Sequence, residues 1–373
     1  MDVLMLPLNW QKVRLGDIGK PCMCKRVMKH QTTRYGEIPF YKIGTFGNTA
    51  DAFISKKLFL EYKTKYSFPK KGDILISASG TIGRAVIYDG KPAYFQDSNI
   101  VWIDNDETLV KNDFLFYAYS NVKWNTEHTT ILRLYNDNFR NTLIPLPPLN
   151  EQIAIANILS GLDRYLCTLD ALILKKEGVK KALSFELLSQ RKRLKGFNQA
   201  WQRVRLGDIA NYLTSNLSAE QITQQGKIKV YDVNNFIGYT DTTFISDKPY
   251  ISIVKDGSVG RVRILPPKTN ILSTMGALIA NHRTTTEFLF YLLSNFDFKN
   301  FTSGSIIPHI YFKDYKEKTI FLPPLNEQSA IANILSALDN EITSLKNKKR
   351  QFENIKKALN HDLMSAKIRV LEK

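Results

Sequence analysis

Two stretches of the chain carry apolar residues at steps of three and four, with charged residues between them. This spacing puts the apolar side chains on one narrow stripe of an α-helix, close to the seam of a coiled coil. Each stripe also contains one lysine, Lys176 in the first stretch and Lys349 in the second. The apolar positions are Leu162, Leu166, Leu169, Ile173, Val179, Leu183 and Leu187, and then Leu338, Ile342, Leu345, Phe352, Ile355, Leu359 and Leu363.

We call these helical stretches the first arm (residues 147–195) and the second arm (residues 323–373). A pair of prolines opens each arm, and the asparagine two residues later, Asn150 or Asn326, is the predicted helix N-cap. Because such a stripe needs a partner, we expect the arms to pair antiparallel as a coiled-coil spacer with a pseudo-twofold axis. About 30 paired residues would give a rod of roughly 45 Å. In the alternative, each stripe packs on the rest of its own half.

The chain is an internal duplication. Residues 147–163 read PPLNEQIAIANILSGLD, and residues 323–339 read PPLNEQSAIANILSALD. A second repeat begins each half, as WQKVRLGDI at Trp10–Ile18 and WQRVRLGDI at Trp201–Ile209. One unit therefore occurs twice in the polypeptide, with constant ends and a divergent middle.

The two divergent regions, which we call the first head (residues 1–146) and the second head (residues 196–322), have mixed patterns. Short apolar runs bounded by turn residues predict an α/β fold for each. Between Tyr41 and Gly80 the first head has 13 more residues than the second, an insertion typical of recognition loops. The predicted strands are Ile38–Ile43, Asp73–Ser77, Ala85–Tyr88, Ile100–Ile103, Lys227–Val233 and Ser258–Leu265, and the predicted helices are Asn112–Lys123 and Thr286–Phe296.

The charge balance indicates that the chain binds a partner and does not only support a fold. The sequence has 52 Lys and Arg against 35 Asp and Glu, a net charge of +17. Such an excess favours a polyanionic partner, and nucleic acid is the first candidate; charge for solubility is the alternative. Much of the excess lies on the arms, where it could face either the DNA backbone or acidic partner proteins.

The remaining composition excludes several other classes. The only cysteines, Cys22, Cys24 and Cys167, form no disulfide framework, and with His30 they do not match the spacing of a zinc site. No apolar run is long enough to cross a membrane, and the N-terminus lacks a basic signal segment. We therefore expect a cytoplasmic protein that binds no metal and contacts no membrane.

Several motifs, taken together, carry a family resemblance. They are the duplicated PPLNEQ segments, KKAL at Lys180–Leu183 and Lys356–Leu359, GDILISASGTIGR at Gly72–Arg84, and GSIIPHIYFKDY at Gly304–Tyr315. In this order and copy number they resemble the specificity subunit of a type I restriction–modification system, over nearly the whole chain.

The resemblance implies two target-recognition domains, each reading one half of a split, asymmetric DNA sequence, with the arms as the spacer between them. It also implies two modification subunits, which bring S-adenosylmethionine for adenine methylation. Restriction subunits would add ATP-driven translocation and a Mg-dependent nuclease. The specificity subunit itself would bind no cofactor and perform no chemistry.

Two catalytic motifs that a DNA-modifying enzyme could carry are absent from the sequence, as expected for a non-enzymatic chain. The sequence has no GxxxxGK[ST] phosphate loop and no Asn-Pro-Pro-aromatic motif of an adenine methyltransferase. Asp51 with Glu61 and Lys63 is only a faint nuclease pattern. The alternatives are a specificity subunit of a system with a different subunit plan, a self-contained DNA-modifying enzyme, or a coiled-coil scaffold that binds no DNA.

Candidate DNA-reading residues lie mainly in two pairs of loops. Ser77–Arg84 (SASGTIGR) aligns with Val254–Arg261 (VKDGSVGR), and their recurring glycines fit either close approach to phosphates or a tight turn. The loop from Ile131 to Tyr135 aligns with Ile307–Tyr311, so that Arg133 and His309 occupy the same position of the alignment. The candidates are Lys42, Thr45, Ser79, Thr81, Arg84, Gln96, Asp97, Asn99 and Arg133, and Asn234, Asn235, Ser258, Arg261, Thr274, His309 and Lys313.

Arginine favours guanine, so the change from Arg133 to His309 predicts a different base preference in the two heads. The two half-sites should lie on one face of the duplex, roughly 34 Å apart or somewhat more.

Overall fold

The structure is a computed structural model that describes residues 7–128 and 132–370. It divides into two compact units. The first unit combines the chain up to Leu169 with the chain from Lys348 onward, and the second unit is Asp170–Asn347. Each unit therefore contains one head and a stretch of both arms.

The first half of the chain folds into short strands, four short helices and one long helix. Its elements are β1 (Gln11–Arg14), α1 (Leu15–Ile18), β2 (Gly19–Met23), β3 (Ile38–Tyr41), β4 (Phe53–Ile54), α2 (Lys56–Lys65), β5 (Ile74–Ser77), β6 (Ala85–Ile87), β7 (Tyr94–Phe95), β8 (Ile100–Asn105), α3 (Asn112–Tyr119), β9 (Glu127–His128), β10 (Leu132–Arg133), α4 (Asn136–Asn141), β11 (Leu143–Leu146) and α5 (Leu149–Leu188).

The second half repeats this plan without a counterpart of α2. Its elements are β12 (Gln202–Arg205), β13 (Ala210–Thr214), β14 (Ile228–Tyr231), β15 (Phe236–Thr240), β16 (Tyr250–Val254), β17 (Val262–Leu265), β18 (Thr269–Ile271), β19 (Met275–Ala280), α6 (Thr286–Ser294), β20 (Thr302–Ser303), β21 (His309–Ile310), α7 (Phe312–Tyr315), β22 (Thr319–Leu322) and α8 (Leu325–Met364). Single 3₁₀ turns lie at Lys29–Gln31, Leu206–Asp208, Ala219–Gln221 and Lys299–Phe301.

The two heads have the same sheet topology. An antiparallel four-stranded sheet has the order β2-β8-β5-β6 in the first head and β13-β19-β16-β17 in the second. A three-stranded sheet has the order β4-β3-β7 or β15-β14-β18, and its second pair is parallel. In each unit the strand that directly follows Trp10 or Trp201 pairs with the strand before the arm, as β1-β11 and β12-β22. The mixed fold predicted for both heads is confirmed.

The predicted strands and helices are present, and most are shorter than predicted, whereas β8 extends to Asn105. The predicted strand Ser258–Leu265 begins only at Val262, because the residues before it form the turn after β16. The predicted helix Asn112–Lys123 likewise ends at Tyr119. The insertion in the first head contains α2, which begins after Ser55, whose hydroxyl oxygen accepts a hydrogen bond from the Leu58 amide at 3.2 Å. The insertion therefore adds an ordered helix as well as loop residues.

Both arms are single helices of 40 residues, α5 and α8. They begin at Leu149 and Leu325, so the predicted N-caps Asn150 and Asn326 are wrong, since both lie inside the helix. The carbonyl of Pro148 accepts from the amides of Glu151 and Gln152 at 2.9 and 3.0 Å, so the helical bonds start at the second proline. A proline is compatible with this position because it lacks only an amide that a helix start leaves unpaired.

Within each unit the two arms run antiparallel, as predicted. In the second unit Lys176 pairs with Glu341 at 2.8 Å, and Lys180 pairs with Asp339 at 2.5 Å. Lys176, the charged position of the first stripe, thus has a carboxylate partner on the other arm. In the first unit the rings of Tyr165 and Phe352 lie 4.7 Å apart.

Most of the apolar side chains predicted to form the seam between the two arms are buried or half-buried. Leu169, Ile173 and Ile342 are buried. Val179 and Ile355 are the exceptions, 46% and 50% exposed. Because α-helices have 3.6 residues per turn, a stripe drifts off the seam along a long helix. The half-buried seam positions are Leu162, Leu166, Leu183, Leu338, Leu345, Phe352 and Leu359.

The outer ends of the arms complete the cores of the heads. Leu363 and Met364 of α8 pack in the core of the first unit with Trp10 and Leu15. Leu187 of α5 packs in the corresponding core of the second unit with Trp201. Each head therefore needs the arm that follows the other head in sequence.

The three cysteines lie in different surroundings. Cys24 is buried in the core of the first head, and burial raises the pKa of its thiol to about 12. Burial also raises the pKa of Cys22, whereas Cys167 is exposed on α5. In residues 7–128 and 132–370, no three His, Cys, Asp or Glu side chains are placed to hold a metal ion.

Candidate nucleic-acid interface

In the first head, the two loops selected from the sequence lie side by side. Ser79, in the loop between β5 and β6, forms an antiparallel bridge with Arg133 of β10. The Ser79 hydroxyl donates to Asn99 Oδ1 at 2.6 Å, and the Ala78 amide donates to the Asn99 carbonyl at 2.7 Å. Ser79, Asn99 and Arg133 thus meet, and we call them the first loop cluster. Ile131, which begins the predicted second loop, lies outside the described residues.

The second head builds the same arrangement from other side chains. Asp256 forms the antiparallel bridge with His309, and the Asp256 carboxylate lies 2.6 Å from His309 Nδ1. The Lys255 amide donates to the Thr274 carbonyl at 3.1 Å, the counterpart of the Ala78–Asn99 bond. We call Asp256, Thr274 and His309 the second loop cluster.

The two clusters share a backbone and differ in chemistry. Gly80 and Gly257, each next to the bridging residue, donate to the carbonyls of Leu132 and Pro308 at 3.1 and 2.8 Å. On this common frame the first cluster combines the buried Ser79 hydroxyl with the Asn99 amide and the exposed Arg133 guanidinium. The second presents a carboxylate, a hydroxyl and an imidazole. Such groups hydrogen-bond different base edges.

The recurring glycines of these loops have a structural role. Gly83 and Gly260 have φ values of +81° and +79°. A Cβ at Gly83 would lie 2.2 Å from Trp124 Nε1, and one at Gly260 would lie 2.6 Å from the ring of Phe298. Of the two interpretations of these glycines, the structure supports the tight turn, packed against an aromatic ring.

The hydroxyl and arginine positions of the two loops are exposed. Thr81 and Ser258 lie at the turn, and Arg84 and Arg261 lie at its end. The Arg84 guanidinium donates to the Phe46 carbonyl at 2.9 Å, which ties the loop to the turn after β3.

The other candidates of the first head have internal partners. Gln96 Oε1 accepts from the Ile43 amide at 3.0 Å, and the Thr45 hydroxyl accepts from the Lys42 amide at 3.1 Å, so both stabilise the turn after β3. Lys42 also forms an exposed ion pair with Asp51 at 2.9 Å. Asp97 accepts from Arg26 at 2.8 Å and is largely covered. Arg84 connects this turn to the first loop cluster, but these four side chains are less available to DNA.

The other candidates of the second head are more open. Asn234 and Asn235 are exposed, and Asp232 Oδ1 accepts hydrogen bonds from both of their amides. The Asn234 carbonyl accepts from Arg263, which lies on β17 beyond the loop, at 2.9 Å. Lys313 is exposed, with its ammonium 5.4 Å from the centre of the Tyr311 ring.

Asp256 is the residue that sequence reasoning missed. It lies inside the quoted segment VKDGSVGR, directly opposite Ser79 in the alignment of the two loops. Its role depends on its contact with His309, which the sequence alone does not show. The faint nuclease pattern is explained otherwise, since Asp51 pairs with Lys42 and Glu61 pairs with Lys65.

The duplicated PPLNEQ motif lies outside the loop clusters. Its role is to join distant segments of each unit by buried hydrogen bonds, which we call a structural lock. Glu327 is fully buried and accepts from Trp201 Nε1 at 3.0 Å and from Arg193 Nη2 at 2.6 Å. Glu151 does the same with Trp10 at 3.0 Å and Arg369 at 2.7 Å. The motif thus joins three distant parts of the sequence in each unit.

The glutamine and aspartate of the repeat extend this lock. Gln328 accepts from the Thr285 amide and donates to the Pro323 carbonyl, at 3.0 and 2.8 Å. Asp339 accepts from the Tyr291 hydroxyl at 2.9 Å. Burial and the neighbouring Asp339 raise the pKa of Tyr291 above its usual range, so this hydroxyl remains a donor.

No helix among the described residues combines the length and the apolar character needed to cross a membrane.

Comparison with known proteins agrees with this arrangement. A family model described as the type I restriction modification DNA specificity domain matches residues 7–176 and again residues 198–354. The two matches correspond to the two halves of the duplication.

Individual relatives carry the same designation. A Haemophilus influenzae protein named as a type I restriction enzyme specificity subunit is 64% identical over 152 residues, which are 40% of this chain and 40% of that protein. The type I restriction enzyme MjaVIII specificity subunit of Methanocaldococcus jannaschii is 26% identical over 414 aligned positions, 99% of this chain and 95% of that protein.

Solved structures share the fold. The S subunit of a type I restriction–modification system from M. genitalium has a TM-score of 0.64 and 20% identity, covering 96% of this chain and 98% of that one. A chain from a structural study of complex assembly and conformational transition in a type I system has a TM-score of 0.57 and 16% identity, with the same coverage.

Proposed function

We propose a function from one established premise: this chain belongs to the family defined by the type I restriction modification DNA specificity domain. On that premise the chain is the DNA-recognition subunit of a type I restriction–modification complex. Each head reads one half of a bipartite target, and because the heads differ, the target is asymmetric. The chain performs no chemistry of its own.

One observation carries this proposal. The two loop clusters occupy the same backbone positions, but Ser79, Asn99 and Arg133 of the first are replaced by Asp256, Thr274 and His309 in the second. A shared catalytic site would need the same chemical groups in both copies. A pair of sequence readers needs a common frame with different hydrogen-bonding groups, because base edges differ in their donors and acceptors.

The charge distribution supports duplex DNA as the ligand. Arg84, Arg261 and Lys313 are exposed beside the clusters and can contact phosphates, which fix position without reading sequence. Arg133 is exposed and carries only donors, so it suits the two acceptors of guanine in the major groove. The net charge of +17 favours binding that weakens as salt rises.

The reactions of the complex belong to its partners in this proposal. Two modification subunits bind S-adenosylmethionine and methylate adenine, and restriction subunits use ATP and Mg, with the complex acting in the cytoplasm. The arms offer a docking surface. Leu174 and Phe185 of α5 are 68% and 53% exposed, on the side of the helix away from Ile173 of the seam. Exposed apolar side chains on one side of a helix are typical of a protein interface.

Methylation mapping tests the function directly. In cells that express this chain with its modification subunits, we expect a split adenine-methylated sequence. Exchanging residues 210–322 for those of another family member should change one half of this sequence and leave the other half unchanged, because each loop cluster is built within one head. Sequencing that detects methylated adenine makes the measurement.

Cells with the modification subunits alone are the control and should show no such sequence. A continuous, unsplit target, or a change in both halves after the exchange, would contradict independent readers. Methylation by the purified chain alone would instead indicate a self-contained enzyme.

The docking surface gives a second prediction. Leu174→Asp should weaken co-purification of the modification subunits about tenfold or more, since a charge in an apolar interface is left unpaired. The chain's melting temperature should change little, because Leu174 is already mostly exposed. Thr343→Asp, an exposed position of α8, is the matched control and should retain the partners. Equal retention by both variants would show that the partners dock elsewhere.

A further inference from the structure

We propose that the pair Asp256–His309 decides which base the second head reads at one position of its half-site. The carboxylate fixes the tautomer of the imidazole, so that in the neutral ring Nε2 is the hydrogen-bond acceptor. Such an acceptor selects a base that presents an amino group in the major groove, adenine or cytosine, over guanine or thymine. The inference rests on the proposed function, in which this loop cluster contacts base edges.

The position of the proton follows from the contact. Asp256 Oδ1 and His309 Nδ1 are 2.6 Å apart. An ionised carboxylate can only accept hydrogen bonds, so Nδ1 carries the proton. A neutral imidazole has one N–H and one lone pair, which leaves Nε2 as the acceptor. Asp256 thereby fixes the tautomer of the residue beside it.

The acceptor nitrogen is available and the ring is held in place. Across the described part of the chain, His309 Nδ1 has a hydrogen-bond partner and Nε2 has none. About a third of the side chain, 35%, is exposed. The His309 backbone pairs with both Ser303 and Asp256, and its ring lies nearly parallel to that of Tyr311 at 6.5 Å. The ring can therefore present one nitrogen in a fixed direction.

The corresponding residues of the first head offer hydrogen-bond donors where the second head offers an acceptor. Ser79 occupies the place of Asp256, and its hydroxyl donates to Asn99. Arg133, in the place of His309, has donors only. The first head therefore suits a base edge that offers acceptors, whereas the second suits an edge that offers a donor.

Base chemistry turns this difference into a preference. In the major groove, adenine N6 and cytosine N4 carry hydrogens, while guanine and thymine present only acceptors at the corresponding places. An Nε2 lone pair attracts the first two and repels the carbonyl oxygen of the others. An imidazolium would present a donor instead and would reverse the preference, which makes the proposal open to contradiction.

The test uses the complex assembled with its modification subunits and the target mapped as described above. Duplexes with each position of the second half-site changed in turn are compared for binding. For the wild-type complex we expect one position that requires adenine or cytosine. Asp256→Asn should lower that preference about tenfold, because the amide can donate to Nδ1 and move the proton to Nε2. His309→Gln should also lower it, because glutamine both donates and accepts.

A modified base tests the contact itself. At the identified position, adenine is replaced by purine, or cytosine by 2-pyrimidinone, which removes only the amino group. The wild-type complex should lose about tenfold in affinity, and His309→Gln should lose clearly less. Glu317→Ala, at an exposed position of the second head outside the loop cluster, is the control and should lose as much affinity as the wild type.

The outcomes separate this inference from the proposed function. If the complex binds a split target but Asp256→Asn and His309→Gln keep the wild-type preference at every position, the tautomer proposal is wrong. A sensitive position that requires guanine or thymine also overturns it. If the complex binds no split target, the proposed function fails, and the assignment of Asp256 and His309 fails with it.

Discussion

Replacing Glu327 with alanine should lower the stability of the second unit by about 2–4 kcal/mol. The carboxylate is fully buried and accepts from Trp201 Nε1 and Arg193 Nη2. Its removal leaves the buried indole N–H without an acceptor, which alone costs about 1–3 kcal/mol, and it opens a cavity. A loss of this size should lower the melting temperature by roughly 5–10 °C in a unit of this length, as thermal unfolding would show.

Two further variants make the result specific. Glu327→Gln keeps one oxygen for Trp201 and should lose clearly less stability. Glu317→Ala, in the same unit, removes a carboxylate whose side chain is 56% exposed and which pairs with Arg205, so it should have little effect. If Glu327→Ala melts like Glu317→Ala, the motif has no locking role.

Gly83→Ala should destabilise the first head by about 2–5 kcal/mol and weaken reading of the first half-site. The left-handed backbone at φ +81° costs about 1–2 kcal/mol for a residue with a Cβ. The new Cβ would also lie 2.2 Å from Trp124 Nε1, and overpacking of this kind typically costs about 1–3 kcal/mol. Urea unfolding and DNA binding measure the two effects.

Gly80→Ala is the matched control. Gly80 lies in the same loop with φ +67°, but a Cβ there would have no atom within 4 Å. Gly80→Ala should lower the free energy of unfolding only by the strain of the left-handed backbone, about 1–2 kcal/mol. Equal losses for the two variants would mean that Trp124 moves aside, and the close packing would not be what requires glycine at residue 83.

The helical arms could be predicted because their signal is periodic and local. An apolar stripe specifies one helix face, and a stripe without a partner in its own segment indicates pairing with the other arm. The helix N-caps were less well predicted. The first helical hydrogen bonds of α5 and α8 go to the carbonyls of Pro148 and Pro324, so Asn150 and Asn326 are not the N-caps.

The loop clusters could be predicted only in part. The sequence identifies the loops that contain Ser79, Arg133 and His309, because they align between the two halves. It does not show that the loops are joined by backbone bridges, since such pairing depends on how the sheets fold. Asp256 was missed for the same reason, because its importance arises only from its distance to His309.

The shared cores have an evolutionary consequence. Leu363 and Met364 complete the core of the first unit, and Leu187 completes that of the second, so each half of the gene encodes a part that the other half's product requires. An ancestor half as long would have closed its cores only as a homodimer, and its two identical readers would have bound two copies of one half-site. On the proposed function, fusion of two such genes would free each copy to diverge toward its own half-site.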